Sequence, residues 1–384
     1  MATSMDTPQI REENFVSAYV HFPYCESKCH YCDFFSFAES KFDAVARGTI
    51  YNAIAQEARQ FKGDGLGDLT TVFLGGGTPS LVPIDDLATA LTPLGLSSCS
   101  EVTIEANPSS ITEEKARQWL ALGINRVSMG VQALDDARLK WLGRVHGVAA
   151  AHTALEALGN AGFKNVSIDY ILGVPGQGID TIRRELESFI PLFPHIQHVS
   201  AYLLTLKNSN PKCTELPSEE EQIDHLMEAN RVLTGLGFHH YEISNYARPG
   251  RAAFHNENYW LGGGYVGIGP SAHGFWPQAG IRTKNVSNLE RYRMHVVTGN
   301  HPWEWTERLT PEQKALEFLM LRLRRASGFK LEEYTAATGE SFVAHRQPRL
   351  ERAVKQGLAH WDSQGVRLTT RGLFLSDQIT SDFA

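Results

Sequence analysis

Cys25, Cys29 and Cys32 stand in C-x3-C-x2-C spacing directly behind an apolar run, Val16 to Phe22, that reads as a β-strand. A loop of this length can wrap three thiolates round an iron–sulfur cube. Phe34 occupies the position where a C-x-C continuation would place a fourth cysteine. Four-iron clusters normally take four cysteines, so three predict one iron left to a non-protein ligand. Such a corner is reactive rather than structural. The plainer alternatives are a zinc knot completed by His21 or His30, or a redox thiol loop. Structural zinc, however, favours paired hooks drawn from two places in the chain, and only one hook is present here. Cys99 and Cys213 are isolated and read as small incidental residues.

A chain of 384 residues has room for one large domain and a smaller one, with a core that needs no disulfide support. Its formal charge of −7 argues against nucleic acid as a principal partner, since phosphate contact wants a basic face. No apolar run reaches the ~20 residues of a membrane span. Residues 1–14 lack the basic start and apolar centre of a signal peptide and read as a flexible tail. Five cysteines, an odd number and mostly clustered, suit a reducing cytoplasm.

Between residues 15 and 205, β-like runs alternate with amphipathic stretches. The strands are Val16–His21, Thr70–Leu74, Glu101–Glu105, Arg126–Gly130, Asn165–Ile171 and His198–Leu203. Repeated β-α units predict a parallel sheet with helices outside, and six units rather than eight predict an open barrel. The expected fold class is therefore α/β, a partial (β/α)6 TIM-type barrel over 15–295. A smaller helical, winged-helix-like domain is expected over 296–384, from Pro311–Arg325, Leu331–Ala337, Phe342–Gln356 and the half-hairpin Gly365–Thr370. Its basic run, Arg322, Arg324 and Arg325, reads as a solvated or packing face.

In barrels of this type chemistry gathers at the C-terminal strand ends, and every distinctive motif falls there. Gly75-Gly76-Gly77-Thr78-Pro79 follows the second strand. It matches neither phosphate-cradling pattern, G-x4-G-K-S/T or G-x-G-x2-G, and by itself could be a tight turn. Beside the cysteine loop, its backbone edge could hold the amino group of an amino-acid-like ligand. Glu105, Gln132, Arg144 and Asp169 would point into the barrel mouth, where carboxylates and amides suit a ribose. Each alone could be a cap or a surface ion pair. Asp169, inside the apolar run Val166–Leu172, fits that plainer account least.

At this point the chain resembles the radical S-adenosylmethionine (radical-SAM) superfamily, and more closely its branch of oxygen-independent coproporphyrinogen III oxidases and HemW-type haem chaperones. The shared stretches are Tyr19 to Cys25, Phe73 to Pro79, Arg126 to Gln132, Leu142 to Arg144, Asp169 to Pro175, and His255 to Gly274. The resemblance implies a 4Fe-4S cluster on Cys25, Cys29 and Cys32. It sets Tyr19 and Tyr31 beside the methionine portion of S-adenosylmethionine, and Gly76, Gly77 and Thr78 at its amino end. Glu105, Gln132, Arg144 and Asp169 would take the carboxylate and ribose side, with Thr205 in a lesser part. An electron from the cluster would cleave the sulfonium C–S bond, giving methionine and a 5′-deoxyadenosyl radical.

Two departures favour the chaperone branch over the decarboxylating oxidases. The oxidases carry a further cysteine where this chain has Phe34, and a long N-terminal arm where it has 14 residues. The segment Phe254-His255-Asn256-Glu257-Asn258-Tyr259-Trp260 is similar to the His-Asn-x-x-Tyr-Trp motif of the chaperones. His255 could supply haem iron with an axial imidazole while Tyr259 and Trp260 offer aromatic surface. A hydrogen-bonded loop histidine is the plainer reading, and His273 is a second, lesser candidate ligand. The resemblance thus implies haem binding and transfer to haem-accepting proteins of the respiratory-chain type, with peripheral membrane association and a homodimer left open. Coproporphyrinogen III dehydrogenase activity and a zinc or thiol protein are the competing readings.

Overall fold

The computed structural model describes residues 15–363 and 365–383. The tail expected over 1–14 lies outside the described residues. In chain order the principal strands are β1 (Phe15–Phe22), β2 (Thr71–Gly76), β3 (Glu101–Ala106), β4 (Arg126–Gln132), β5 (Val166–Leu172), β6 (Ile196–Leu203), β7 (Asn245–Ala247), β8 (Gly264–Ile268), β9 (His273–Trp276), β10 (Ile281–Asn285) and β11 (Trp303–Arg308). β12 (Phe329–Lys330), β13 (Ala359–Trp361) and β14 (Gly365–Leu368) follow. The six strands expected from the sequence are all present, with ends within two residues of the expected ones. Two compact units emerge, one of residues up to Asp169 with Gly263–Arg308, the other of Tyr170–Gly262 with residues from Leu309 onward.

In the first unit β1 pairs in parallel with β2, β2 with β3, and β3 with β4. Helices α1 (Ala44–Gly63), α2 (Ile84–Leu91), α3 (Glu113–Ala121), α4 (Asp136–Trp141) and α5 (Val148–Ala161) connect or flank them. Local chemistry sets their ends. Asp43, Thr112 and Asp135 accept backbone N–H bonds as N-caps of α1, α3 and α4. Gly162 closes α5 in the left-handed region, which glycine enters without steric cost. Ala18, Val20, Val72, Leu74, Val102 and Ile104 alternate along the strands and are wholly or almost wholly buried.

The chain then returns to the other edge of β1. β8 runs parallel to β1, and β9, β10 and β11 add antiparallel strands beyond it. Helix α9 (Leu289–Val297) lies between β10 and β11. The boundary expected at 295/296 thus falls inside α9, and β11 belongs to the first sheet. β8 and β9 are short and carry glycine, and β10 and β11 are rich in polar and charged residues, which is why their pattern in the sequence was weak. Glu57 of α1 ties them down: it accepts from the Gly269 N–H at 2.7 Å, the Tyr292 hydroxyl at 2.6 Å and the Asn285 amide at 2.8 Å.

In the second unit β6 pairs antiparallel with β7, and α6 (Ile179–Phe189) packs on α7 (Glu219–Gly235), which Ser218 and Glu221 start with a capping box. Helix α8 (Phe254–Trp260) precedes the glycine turn at 262. α10 (Pro311–Arg322), β12, α11 (Leu331–Thr338), α12 (Phe342–Lys355), β13 and β14 follow in the element order of a winged helix, with a three-stranded sheet β12-β14-β13. Leu319, Tyr334, Phe342, Leu350, Val366 and Leu373 are the module's core. The arginine run proves to be a packing face. Arg324 lies 4.4 Å over the Trp260 ring and pairs at 3.3 Å with Glu242, which is fully buried.

Glu57→Ala would leave three donors in the interior without an acceptor, each costing roughly 1–3 kcal/mol. The variant should lose about 3 kcal/mol or more of stability in urea unfolding, with the far-UV spectrum of the native state retained.

Candidate functional site

The site of the first unit is assembled where β1 hands over to the cysteine loop. The Gly77 N–H donates to the Phe22 carbonyl and the Thr78 N–H to the Tyr24 carbonyl, both at 2.7 Å. A Cβ on Gly77 would stand 2.4 Å from the Tyr24 oxygen, and one on Gly76, at φ +105°, 2.5 Å from the His21 ring. The glycine run is therefore needed first for contact with the chain's own β1 and loop. Gly76 N–H donates to Glu105 Oε2 at 3.2 Å. With these N–H groups engaged, the edge left for an ammonium is carbonyl, which matches a group that only donates.

The cysteine loop is pinned from outside and within. Glu26 accepts from the Ser109 hydroxyl at 2.8 Å, and His30 Nε2 meets the Trp141 carbonyl at 2.8 Å. Lys28 closes the loop on itself by donating to the Phe34 and Ser36 carbonyls. One cleft is lined by Cys25, Cys29 and Cys32 together with Tyr31, Gly76, Gly77, Thr78, Glu105, Gln132, Arg144 and Asp169. The structure thus brings together eleven of the fourteen residues named from the sequence. Burial pushes the Cys25 and Cys32 thiols up, and the neighbouring cysteines add to it. Metal binding would have to displace those protons.

The opposite wall is electrostatic. Arg144 donates to the Asn107 side-chain oxygen at 2.7 Å, to the Gly130 carbonyl at 3.3 Å, and approaches Cys29 Sγ at 3.7 Å. Its buried Nε has no hydrogen-bond partner among the described residues. Gln132 has φ +68°, uncommon for a residue with a side chain and a sign of functional strain. A Cβ on Gly130 would lie 2.6 Å from Gln132 Nε2, so glycine there makes room for the amide, which folds back along β4. Glu105 is pushed up to about 8 by burial and then by the nearby Asp169 carboxylate, while the Gly76 N–H opposes the shift. Ser128 donates to Asp169 at 3.5 Å. Two carboxylates and an arginine in one cleft suit a ligand with hydroxyls, a positive charge and a carboxylate of its own.

Three named residues stand apart from this lining. Tyr19 is buried behind it, its hydroxyl 3.1 Å from His21 Nδ1 and its ring stacked on Phe73. Thr205 follows β6 in the second unit and is exposed. His255, in α8 of the second unit, is 1% exposed, and its Nε2 is bonded to the Tyr259 hydroxyl at 2.7 Å. Sequence reasoning missed Asn107, Lys28, Ser36 and Ser128. Asn107 lies in the Glu105–Pro108 strand end, yet nothing in its type signalled that it holds Arg144.

Against known proteins, residues 19–189 match the Radical SAM superfamily and 309–375 the HemN C-terminal domain. Fold and site therefore define a radical-SAM-type protein. In its solved structure the Escherichia coli coproporphyrinogen III oxidase HemN superposes with a TM-score of 0.79 at 21% identity, covering 97% of this chain and 91% of that one. This shows the fold, a partial barrel with a C-terminal helical domain. The Lactococcus lactis heme chaperone HemW is 31% identical over 378 residues, 96% of this chain and 97% of that protein. The E. coli heme chaperone HemW is 32% identical over 379 residues, 94% and 96% of the two chains. The mouse mitochondrial radical S-adenosyl methionine domain-containing protein 1 is 33% identical, covering 94% and 85%. The chain belongs to the HemW family of the radical-SAM superfamily.

Cys29→Ser should abolish iron and sulfide uptake on anaerobic reconstitution while leaving the circular dichroism spectrum intact, because the loop lies outside the core. Collapse of that spectrum would mark the loop as structural. A cationic ligand favours ionised Glu105, whose folded value is raised, so S-adenosylmethionine should bind more tightly as pH rises from 7 through about 8. Up to tenfold per unit is available. Glu105→Gln should flatten that part of the profile in calorimetric titrations.

Proposed function

We propose that this chain is a radical-SAM-type haem chaperone, which holds a 4Fe-4S cluster, S-adenosylmethionine and haem and passes haem to an acceptor protein. The reading is carried by similarity to heme chaperones along almost the whole chain, joined to a cleft whose donor set suits the cofactors. Cys25, Cys29 and Cys32 would hold the cluster. Carbonyls of the Gly76–Thr78 edge would take the ligand ammonium, Arg144 its carboxylate, and Glu105, Gln132 and Asp169 its ribose. When bound, the pair supplies one-electron cleavage of a sulfonium C–S bond. Asn107 keeps Arg144 aimed into the cleft, Tyr31 would pack beside the methionine portion, and Tyr19 would back that wall from behind the lining. We assign the haem contact to α8, with His255 as iron ligand and Tyr259 and Trp260 as aromatic surface. His255 must first release the Tyr259 hydroxyl, so loading at this ring requires α8 to rearrange. A haem acceptor of the respiratory-chain type and a cytoplasmic setting follow from the same reading. Among the described residues no helix is long and apolar enough to cross a membrane.

The decisive experiment is a haem titration run beside an anaerobic coproporphyrinogen turnover assay on one reconstituted preparation. Haem binding without protoporphyrinogen formation is expected. Robust protoporphyrinogen production would overturn the chaperone reading in favour of the dehydrogenase. His255→Ala should lower haem loading with cluster content unchanged, and unchanged loading would remove His255 from the site.

A further inference from the structure

The register of β8 against β1 sets Tyr265 beside Ser17 and Gly267 beside Tyr19. Residues paired across a sheet share a face. The face of β1 that bears Tyr19 and His21 therefore continues onto the added strands. Tyr265 lies opposite Phe275, Phe275 opposite Arg282, His273 opposite Lys284, and Lys284 opposite Trp305. The other face carries Trp276, Thr283 and Asn285, all buried, with Asn285 bonded to Glu57 of α1. This face instead bears half-exposed Arg282 and Lys284 and exposed His273.

These side chains form an ordered surface. The Arg282 guanidinium sits 3.9 Å over the Phe275 ring and donates to the Tyr265 hydroxyl at 3.1 Å. The His273 ring meets Trp305 edge-on with centroids 6.0 Å apart. Desolvation of part of the ring, with Lys284 and Arg282 nearby, lowers the His273 proton affinity, which favours the neutral imidazole. Neutral imidazole is the form that binds metal. Of the two candidate haem ligands named from the sequence, His273 is the accessible one and His255 the enclosed one.

We propose that this face is a docking shelf for haem, with His273 meeting the iron, Trp305 flanking the macrocycle, and Arg282, seated on buried Phe275, and Lys284 receiving its two propionates. The inference rests on the haem reading above and adds a first contact on β9 and β10 to the one assigned to α8. Charge and shape name the occupant: two cations, an imidazole and flat aromatic rings match a planar, metal-centred dicarboxylate. Lys284 is paired with Glu304 at 3.2 Å, and Glu307 lies opposite Arg282. Surface ion pairs of this kind are weak, so propionates can replace those carboxylates at little cost.

The test compares haem with haem dimethyl ester, which lacks the propionate charges, in absorbance titrations of the reconstituted full chain. Wild type should bind haem at least tenfold more tightly than the ester. Arg282→Gln with Lys284→Gln should bring haem down to the level of the ester, whose own binding stays unchanged. Arg282→Lys should keep the discrimination. Glu304→Gln with Glu307→Gln should tighten haem alone. His273→Ala should shift the Soret band of bound haem. Equal binding of acid and ester by wild type, or an unmoved Soret band in His273→Ala, overturns the shelf. If His255→Ala abolishes binding while the shelf variants behave as wild type, the chaperone reading stands and the shelf falls. A wild type that binds no haem at all removes both.

Discussion

The close crossing of the cysteine loop over the end of β2 holds the rest in place. Two backbone hydrogen bonds at 2.7 Å, from Gly77 and Thr78 to carbonyls of Phe22 and Tyr24, weld the loop's entry to the glycine run. No side chain fits between them, since a Cβ at Gly77 would overlap the Tyr24 oxygen. Three thiols are thereby presented to the same cleft as the strand ends of β2, β3 and β4. Glycine here serves the protein's own packing, and its use by a ligand follows from that.

Around this weld the cleft divides its charge. Burial and the Asp169 carboxylate disfavour ionisation of Glu105, while Arg144 is fixed by Asn107 and the Gly130 carbonyl with its Nε unsatisfied among the described residues. Such an arrangement is costly when empty, because buried polar groups want partners. It becomes favourable when a ligand brings donors to the carboxylates and an acceptor to the guanidinium. The strained backbone of Gln132 belongs to the same cleft, where its amide folds back over Gly130 of its own strand.

Much of this was legible in the sequence, and the reasons differ by region. β1 to β6 announce themselves because each is a β-prone run, largely apolar in β1, β2 and β5 and alternating in β3, β4 and β6, set between amphipathic helices. The cleft was legible because strand ends place Glu105, Gln132 and Asp169 where spacing says they should be. β8 to β11 were not, because their stability comes from β1 and Glu57, far away in the chain, and glycines in β8 and β9 and charged residues in β10 and β11 weaken the apolar pattern. For the same reason the boundary near 295 could not be read: α9 resembles the start of a helical module but packs with α1. Asn107 escaped because an amide that orients an arginine has no signature of its own. The motif in the sequence favoured His255 over His273 as a haem ligand, and their difference in burial could not be read there.

The first unit is built from two stretches separated by most of the second. The Gly269 N–H reaches its acceptor on Glu57 across 212 positions, and the Tyr292 hydroxyl across 235. During synthesis, β1 therefore keeps one edge unpaired until Gly264–Ile268 has been made. Contacts this distant in sequence form late and slowly, since loop closure precedes any reward. A nascent chain would hold its thiol loop beside a bare strand edge for much of translation, a state prone to association. Only once the chain has been made through Gly264–Ile268 can the sheet close behind the loop on that edge of β1.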